Sequence, residues 1–215
     1  MKEEQEHIYY IAGENAESLR NSPQLEGFTA RDIEVLMMTD TVDEFWLQQI
    51  PEFEGKKFQS VTKGHIDLSS FDTKEENGTD DKKESEEETD LTHLTAFLNT
   101  ELAEHIASVR LSRRLTESPV CLVASDQAAD MNMEKVLKIH QNYTPETKRI
   151  LEINPKHALI QKLAIMANED MDQMILKDSA KLLMDQALII QGDPLPDPAG
   201  FAKRMAKFME KGLLT

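Results

Sequence analysis

The sequence contains one cysteine, Cys121, in 215 residues. No internal disulfide can form, nothing calls for an oxidising compartment, and a cytosolic address is the expectation. No stretch approaches the ~20 apolar residues needed to span a bilayer. The opening MKEEQEHIYYIAG is acidic and lacks the apolar run of a secretory signal. Positive charge is scarce too: 24 Lys and Arg face 40 Asp and Glu, a net charge of −16. Non-specific nucleic-acid binding needs cations to neutralise phosphates, so this balance argues against it. A soluble, cytoplasmic protein with no nucleic-acid and no membrane partner is expected.

Catalytic motifs are missing as well. The sequence has no G-x-G-x-x-G, no Walker-type Gly-Lys-Ser/Thr loop and no H-E-x-x-H. His7, His65, His93, His105, His140 and His157 are not paired at ligand spacing with cysteine or with one another. Glu101 and His105 lie one turn apart, a spacing far more often a surface contact than half a metal site. Cys121 sits in an apolar strand pattern, where a thiol is buried and inert rather than nucleophilic. Arg110, Arg113 and Arg114 form the one basic cluster. Solvated strand edges and acidic neighbours explain it at least as well as phosphate binding. No catalytic residue, metal site or cofactor is expected.

What is present falls into three regions, in a length that allows one or two domains. Residues 1–66 alternate strand-like and helix-like stretches. IYYIAG (Ile8 to Gly13), IEVLMMT (Ile33 to Thr39) and KKFQSV (Lys56 to Val61) read as strands. Ser22 before Pro23 reads as an N-cap and first helical position. Thr41 and Glu44 have capping-box spacing for a helix carrying Phe45, Trp46 and Leu47, stopped by Pro51. The order strand–helix–strand implies a small parallel α/β unit, small enough to be the end of a larger domain. Residues 67–90 form an acidic linker: Asp72 to Asp90 hold ten acidic residues against three lysines. Such a run is ordinarily solvated and offers little apolar surface to repay ordering. From about Lys82 its composition favours a helix continuous with the next one.

Residues 91–215 read as mainly helical. Leu91, Leu94, Leu98 and Leu102 recur at helical spacing. ASVRLSRRL and SPVCLVAS read as a β-hairpin closed by Thr116-Glu117, and a further strand ends at Ile153. Asn154-Pro155 and Asp197-Pro198 each carry the N-cap and first-position signal of a helix. Between those helices a long one is expected from about Glu169 to Gln191, ending at Gly192. The fold class is therefore α+β: a small α/β unit, a linker, and a mainly helical domain with a small sheet.

The strongest physical signal is an excess of apolar surface near the chain end. Leu176, Ala180, Leu183, Met184, Ala187 and Leu188 form one stripe, and Ile175, Leu182 and Ile189 a second on another face. A helix packed on one neighbour needs only one stripe. The last helix adds Phe201, Met205, Phe208 and Met209 at the same spacing. Self-association into an intermolecular four-helix bundle is the economical solution, with cover by the small sheet domain as the alternative. A second apolar segment, ADMNMEKVLKIH, places Met131, Met133, Val136 and Leu137 at helical spacing. Periodicity leaves open whether that stripe is core or grips another chain.

HIYYIAGENAESLRNSP, DIEVLMMTDTVDEF, VRLSRRLTESP, LEINPKHALI, LLMDQALIIQG and DPAGFAKRMAKFMEKGL together resemble the ninety-kilodalton heat-shock protein family, in its bacterial HtpG branch. The resemblance runs end to end except for the acidic linker. It implies that residues 1–66 close a middle domain and that residues 91–215 form a dimerisation domain joined through the last two helices. It implies a fragment of an ATP-dependent chaperone of unfolded or partly folded client proteins, with the sites for ATP and Mg outside this fragment. Met1 then looks like a cut inside a longer chain. The ending KGLLT, without the acidic tail of eukaryotic cytosolic members, points to a bacterial or organellar source. ADMNMEKVLKI occupies the place of the family's exposed client-contacting helix, so Met131, Met133, Val136 and Leu137, with Trp46, become client-binding candidates. A dimerisation scaffold without client contact is the alternative.

Overall fold

A computed structural model describes residues 1, 5–40, 42–64, 66–71, 80–126, 128–141, 148–169 and 172–213, with the backbone alone for 44, 48, 80–90 and 138–141. Strand β1 (His7–Ala12) pairs in parallel with β2 (Val35–Met38) on one side and β4 (Lys56–Ser60) on the other. β3 (Glu52–Phe53) runs antiparallel to β4, giving the order β2-β1-β4-β3. The first sheet is therefore mixed rather than purely parallel. Its unforeseen hairpin turns at Glu54 and Gly55, whose positive φ values of 49° and 78° suit a two-residue reversal. Helices α1 (Ala16–Arg20), α2 (Glu26–Ala30) and α3 (Asp43–Gln49) connect the strands. Asn15 caps α1, accepting from the Glu17 N–H at 2.8 Å. Ser22-Pro23 instead opens a single 3-10 turn with no side-chain cap. The expected Thr41–Glu44 box lies outside the described residues. Tyr9, Ile11, Leu25, Phe28, Ile33 and Val61 fill this core, with the Phe28 ring edge-on to Tyr9 at 4.9 Å.

The second core gathers around β5 (Ile106–Leu111), β6 (Val120–Val123) and β7 (Arg149–Ile153). Around them run α4 (Asp80–Glu101), α5 (Met131–Gln141), α6 (Ala158–Asn168), α7 (Gln173–Gln191) and α8 (Pro198–Leu213). α4 begins inside the stretch read as linker and delivers Leu91, Leu94 and Leu98 to the core, with Leu102 just past its end. The sheet order is β5-β7-β6, with β5 parallel and β6 antiparallel to β7. The expected β5–β6 hairpin is thus corrected: β7 lies between the two. Residues 112–119 do not close a tight turn because they are engaged elsewhere. Ser112 Oγ accepts from the N–H groups of Arg114 and Leu115 at 3.2 and 3.1 Å. The segment then turns onto the first unit.

The helix ends follow their chemistry. His157 Nδ1, rather than Asn154, caps α6 by accepting from the Leu159 N–H at 3.1 Å. Asn154 serves the loop before it, accepting from the Lys156 N–H at 3.0 Å. Asp172 caps α7, and Gly192 closes it in the left-handed region at φ 72°. Asp193 N–H then reaches back to the Leu188 carbonyl at 2.9 Å. Asp197 accepts from the Gly200 N–H at 2.8 Å to open α8 as expected.

The two cores meet at a polar junction. β6 is a terminal strand with all four residues buried, and the first unit covers its outer edge. Ala124 N–H donates to Thr62 O at 2.9 Å, Gly64 N–H to Ala124 O at 2.8 Å, and Gln24 Nε2 to Leu122 O at 2.9 Å. Beneath them Glu152 on β7, 3% exposed, accepts from Arg110 Nη2 at 2.6 Å and Ser112 Oγ at 2.8 Å. Arg114 Nε lies 3.1 Å from Oε2, the oxygen that Ser112 also meets. The same two arginines donate across the junction, Arg114 to Val61 O at 2.5 Å and both to Gly64 O at 2.9 and 2.7 Å. Glu26 on α2 returns the contact, accepting from the backbone N–H groups of Thr116, Glu117 and Ser118 at 2.8, 2.8 and 3.1 Å. α2 comes so close that a Cβ on Gly27 would sit 2.7 Å from the Arg114 carbonyl oxygen.

Two measurements test this junction. Replacing Arg114 by Met should cost about 3 kcal/mol in denaturant unfolding, because it strips a buried carboxylate of one cation. A loss below about 1 kcal/mol would show that Glu152 does not depend on it. Burial alone would raise the Glu26 pKa, but the Ser118 hydroxyl and the N–H groups of Glu117, Ser118 and Thr116 outweigh it and lower the value. A carboxyl depressed in the folded state contributes stability that is present above its unfolded pKa and is lost as pH falls through the folded one. The stability gap between wild type and Glu26→Gln should therefore be full at neutral pH and vanish on acidification. A gap that stays constant with pH would refute the assignment.

Candidate functional site

The described residues contain no group of three or more His, Cys, Asp and Glu able to hold a metal ion. Cys121 is buried, and burial followed by the nearby Glu152 carboxylate pushes its thiol pKa well up, as expected of an inert cysteine. Arg110 and Arg114 serve Glu152 and backbone carbonyls of the junction, so these two members of the basic cluster are structural, while Arg113 is exposed. Glu101 approaches Lys177 and Lys181 of α7 at 4.0 and 3.7 Å. His65 and the side chain of His140 lie outside the described residues.

The geometry that invites function is apolar. α7 splits its two stripes between opposite environments. Leu176, Ala180, Leu183, Met184 and Ala187 are buried in the chain's own core, and Leu188 packs against it. The expectation that this stripe faces a partner is corrected: α4, α6 and the second sheet leave it little free surface. The second stripe carries the uncovered face. Ile189 is 48% exposed and its neighbour Ile190 42%, with Leu182 half-buried. α8 has no buried residue among those described. Phe201 and Phe208 are half-buried, while Met205 and Met209 are exposed. Between the helices opens a groove of about 400 Å³ lined by Leu159, Leu182, Ile189, Phe201, Met205 and Phe208. α8 is held to α7 by Arg204–Asp185 at 2.9 Å and Lys207–Asp178 at 2.6 Å. Exposed methionines and isoleucines around such a groove mark an interaction surface.

The second apolar stripe turns out differently from its expected exposure. Met131 is fully buried in the second core and Met133 is 5% exposed. Val136 and Leu137 are half-buried. Met131 is the first residue of α5, and Asp130 fixes that start. Asp130 accepts from the Asn132 N–H at 3.0 Å and from Thr62 Oγ1 of the first unit at 3.0 Å. α5 is also held by charge. Glu134, 2% exposed, meets Arg149 of β7 at 3.5 Å. Arg149 pairs in turn with Asp193, just past the end of α7. Lys135 lies 3.8 Å from Asp193 and donates to the Gln191 carbonyl. Periodicity could not reveal these partners; the one local signal is the acid directly after the Gly192 stop.

Trp46 on α3 is half-buried. Its Nε1 donates to Asp43 Oδ1 at 2.9 Å, and its ring stands edge-on to Phe58 at 5.6 Å. The neighbouring Phe45, 50% exposed, is the ring that solvent meets. No helix among the described residues is long and apolar enough to cross a membrane.

Comparison with known proteins places this arrangement. The family described as Hsp90 protein matches residues 1–215. Among curated relatives, the chaperone protein HtpG of Paramagnetospirillum magneticum is 47% identical over 100% of this chain. HtpG of Roseobacter denitrificans is 46% identical over 99% of it, and HtpG of Wolbachia pipientis 40% over 98%. The chain spans about a third of the length of these relatives, 33–34%. With a match over its whole length, the chain belongs to the Hsp90 protein family.

Proposed function

We propose that these residues are the coupling and self-association part of an ATP-dependent, bacterial, cytoplasmic chaperone. In this reading residues 1–66 close its middle domain, 67–90 link, and 91–215 join two copies. The ATP and Mg sites belong to a domain outside these residues, and this part hydrolyses nothing. The observation that carries the proposal is the uncovered groove between α7 and α8, which a second copy's helices would fill as an intermolecular four-helix bundle. The first apolar contacts are Leu182, Ile189 and Ile190 with Phe201, Met205, Phe208 and Met209. Leu176, Ala180, Leu183, Met184 and Ala187 support that face from behind. The two copies then present unfolded polypeptide with the half-buried Val136 and Leu137, the Met131–Met133 stripe beneath them, and the Phe45–Trp46 pair. Nucleic acid and membranes are not partners.

A second reading, a dimerisation scaffold without client contact, is favoured by the burial of Met131 and Met133. Three measurements test the groove and the choice between the two readings. Ile189→Asp or Met205→Asp should raise the dimer dissociation constant at least ~100-fold in sedimentation, since a charge would be buried in the interface. Leu176→Ala should instead lower folding stability by about 2–5 kcal/mol, as a core truncation does. A dimer unaffected by either aspartate would reject the groove as the contact. Val136→Ser with Leu137→Ser should abolish suppression of aggregation of a denatured test protein at unchanged dimer affinity. Retained suppression would select the scaffold.

A further inference from the structure

α5 is fastened chiefly by charge on the side where it meets β7 and the end of α7. The side chains of Glu134 and Arg149 are 3% and 13% exposed, and that of Asp193 10%. Four charges alternate in sign along the line Glu134, Arg149, Asp193, Lys135. Buried ion pairs contribute little net stability because desolvation offsets their attraction, yet losing one partner strands the others. A helix secured in this way sits in one place but depends on each member of the chain. Asp193 is the shared member, since it meets both Arg149 of the sheet and Lys135 of the helix. It is also the residue whose N–H completes the cap of α7. α7 presents Ile189 and Ile190, one turn earlier, to the outer groove.

We propose that Asp193 and Arg149 are positioning residues that keep α5 docked with Met131 and Met133 covered, and that opening this latch uncovers the stripe for unfolded polypeptide. The inference rests on the reading of α5 as a client surface, and it names what regulates that surface. The position of Asp193 directly after α7 ties the latch to the helix that carries the outer groove. Movement at the end of α7 therefore bears on the covering of α5. Local opening of single elements below the global unfolding limit is ordinary behaviour in folded domains.

The test compares the intact protein with Asp193→Ala and with the conservative Asp193→Glu. Both variants keep the backbone N–H that caps α7. Hydrogen exchange of the amides in 131–141 should speed up roughly tenfold to a hundredfold in Asp193→Ala, the expected effect of losing charge-assisted hydrogen bonds. Exchange in β5, β6 and β7 should stay unchanged, and Asp193→Glu should restore slow exchange in α5. Exchange that rises equally in α5 and the sheet, or in neither, overturns the latch. Binding of reduced, carboxymethylated lactalbumin, a permanently unfolded probe, is measured on the same samples. Selective opening with severalfold tighter probe binding supports both the latch and the client surface. Selective opening with unchanged probe binding keeps the latch and removes the client reading.

Discussion

Everything in this chain hangs from a carboxylate. Glu152 lies in the central strand of the second sheet, almost without solvent, under two guanidinium groups and a hydroxyl. Ionised, it would be untenable there alone, so Arg110, Arg114 and Ser112 must be where they are. Once placed, the arginines have donors left over, and these reach the carbonyls of Val61 and Gly64 at the end of the first unit. A charge buried in one core thereby fixes the position of the other. Residues 112–119 lie folded over that site rather than closing a hairpin, and Glu26 secures their N–H groups from the opposite side.

That junction leaves β6 with a covered edge and two covered faces, which lets the second sheet manage with three short strands. Its remaining face is supplied with apolar side chains by α4, α6 and the inner stripe of α7. The inner stripe is thus spoken for within the chain. A helix with a second stripe must find a second partner, and α8 is too narrow a cover: none of its described residues is buried. The uncovered apolar surface is concentrated in Ile189, Ile190, Met205 and Met209.

Much of this was legible from residue order. Gly192 as a stop, Asp197-Pro198 as a start and the leucine spacing of α4 follow from backbone chemistry and helical period, which are local. The existence of two stripes on α7 was legible; which one faces outward was not, because that depends on elements distant in sequence. The parallel pairing of β5 with β7 was hidden for the same reason, since Thr116-Glu117 reads as a hairpin turn until Glu26 and Glu152 are seen to claim the segment around it. The β3–β4 hairpin was missed because two residues of strand give too little alternation to register. The burial of Met131 is the sharpest case. Its spacing is equally consistent with core and surface, and family resemblance favoured the surface, but Asp130 and Thr62 set the helix start where the side chain enters the core.

The two apolar surfaces are held back by different means. α8 leaves its apolar residues open to solvent and relies on Arg204 and Lys207 to hold it against α7. α5 has Met131 and Met133 covered, with Glu134 and Arg149 buried beside them, while Val136 and Leu137 are half-buried. A flexible thioether tolerates partners of many shapes, but the same property makes an uncovered methionine stripe an indiscriminate surface. Beside the buried methionines, docking of α5 also engages an ion-pair chain from Glu134 through Arg149 to Asp193. Asp193 lies just past the end of α7, so the groove and the ion-pair chain meet at a single helix.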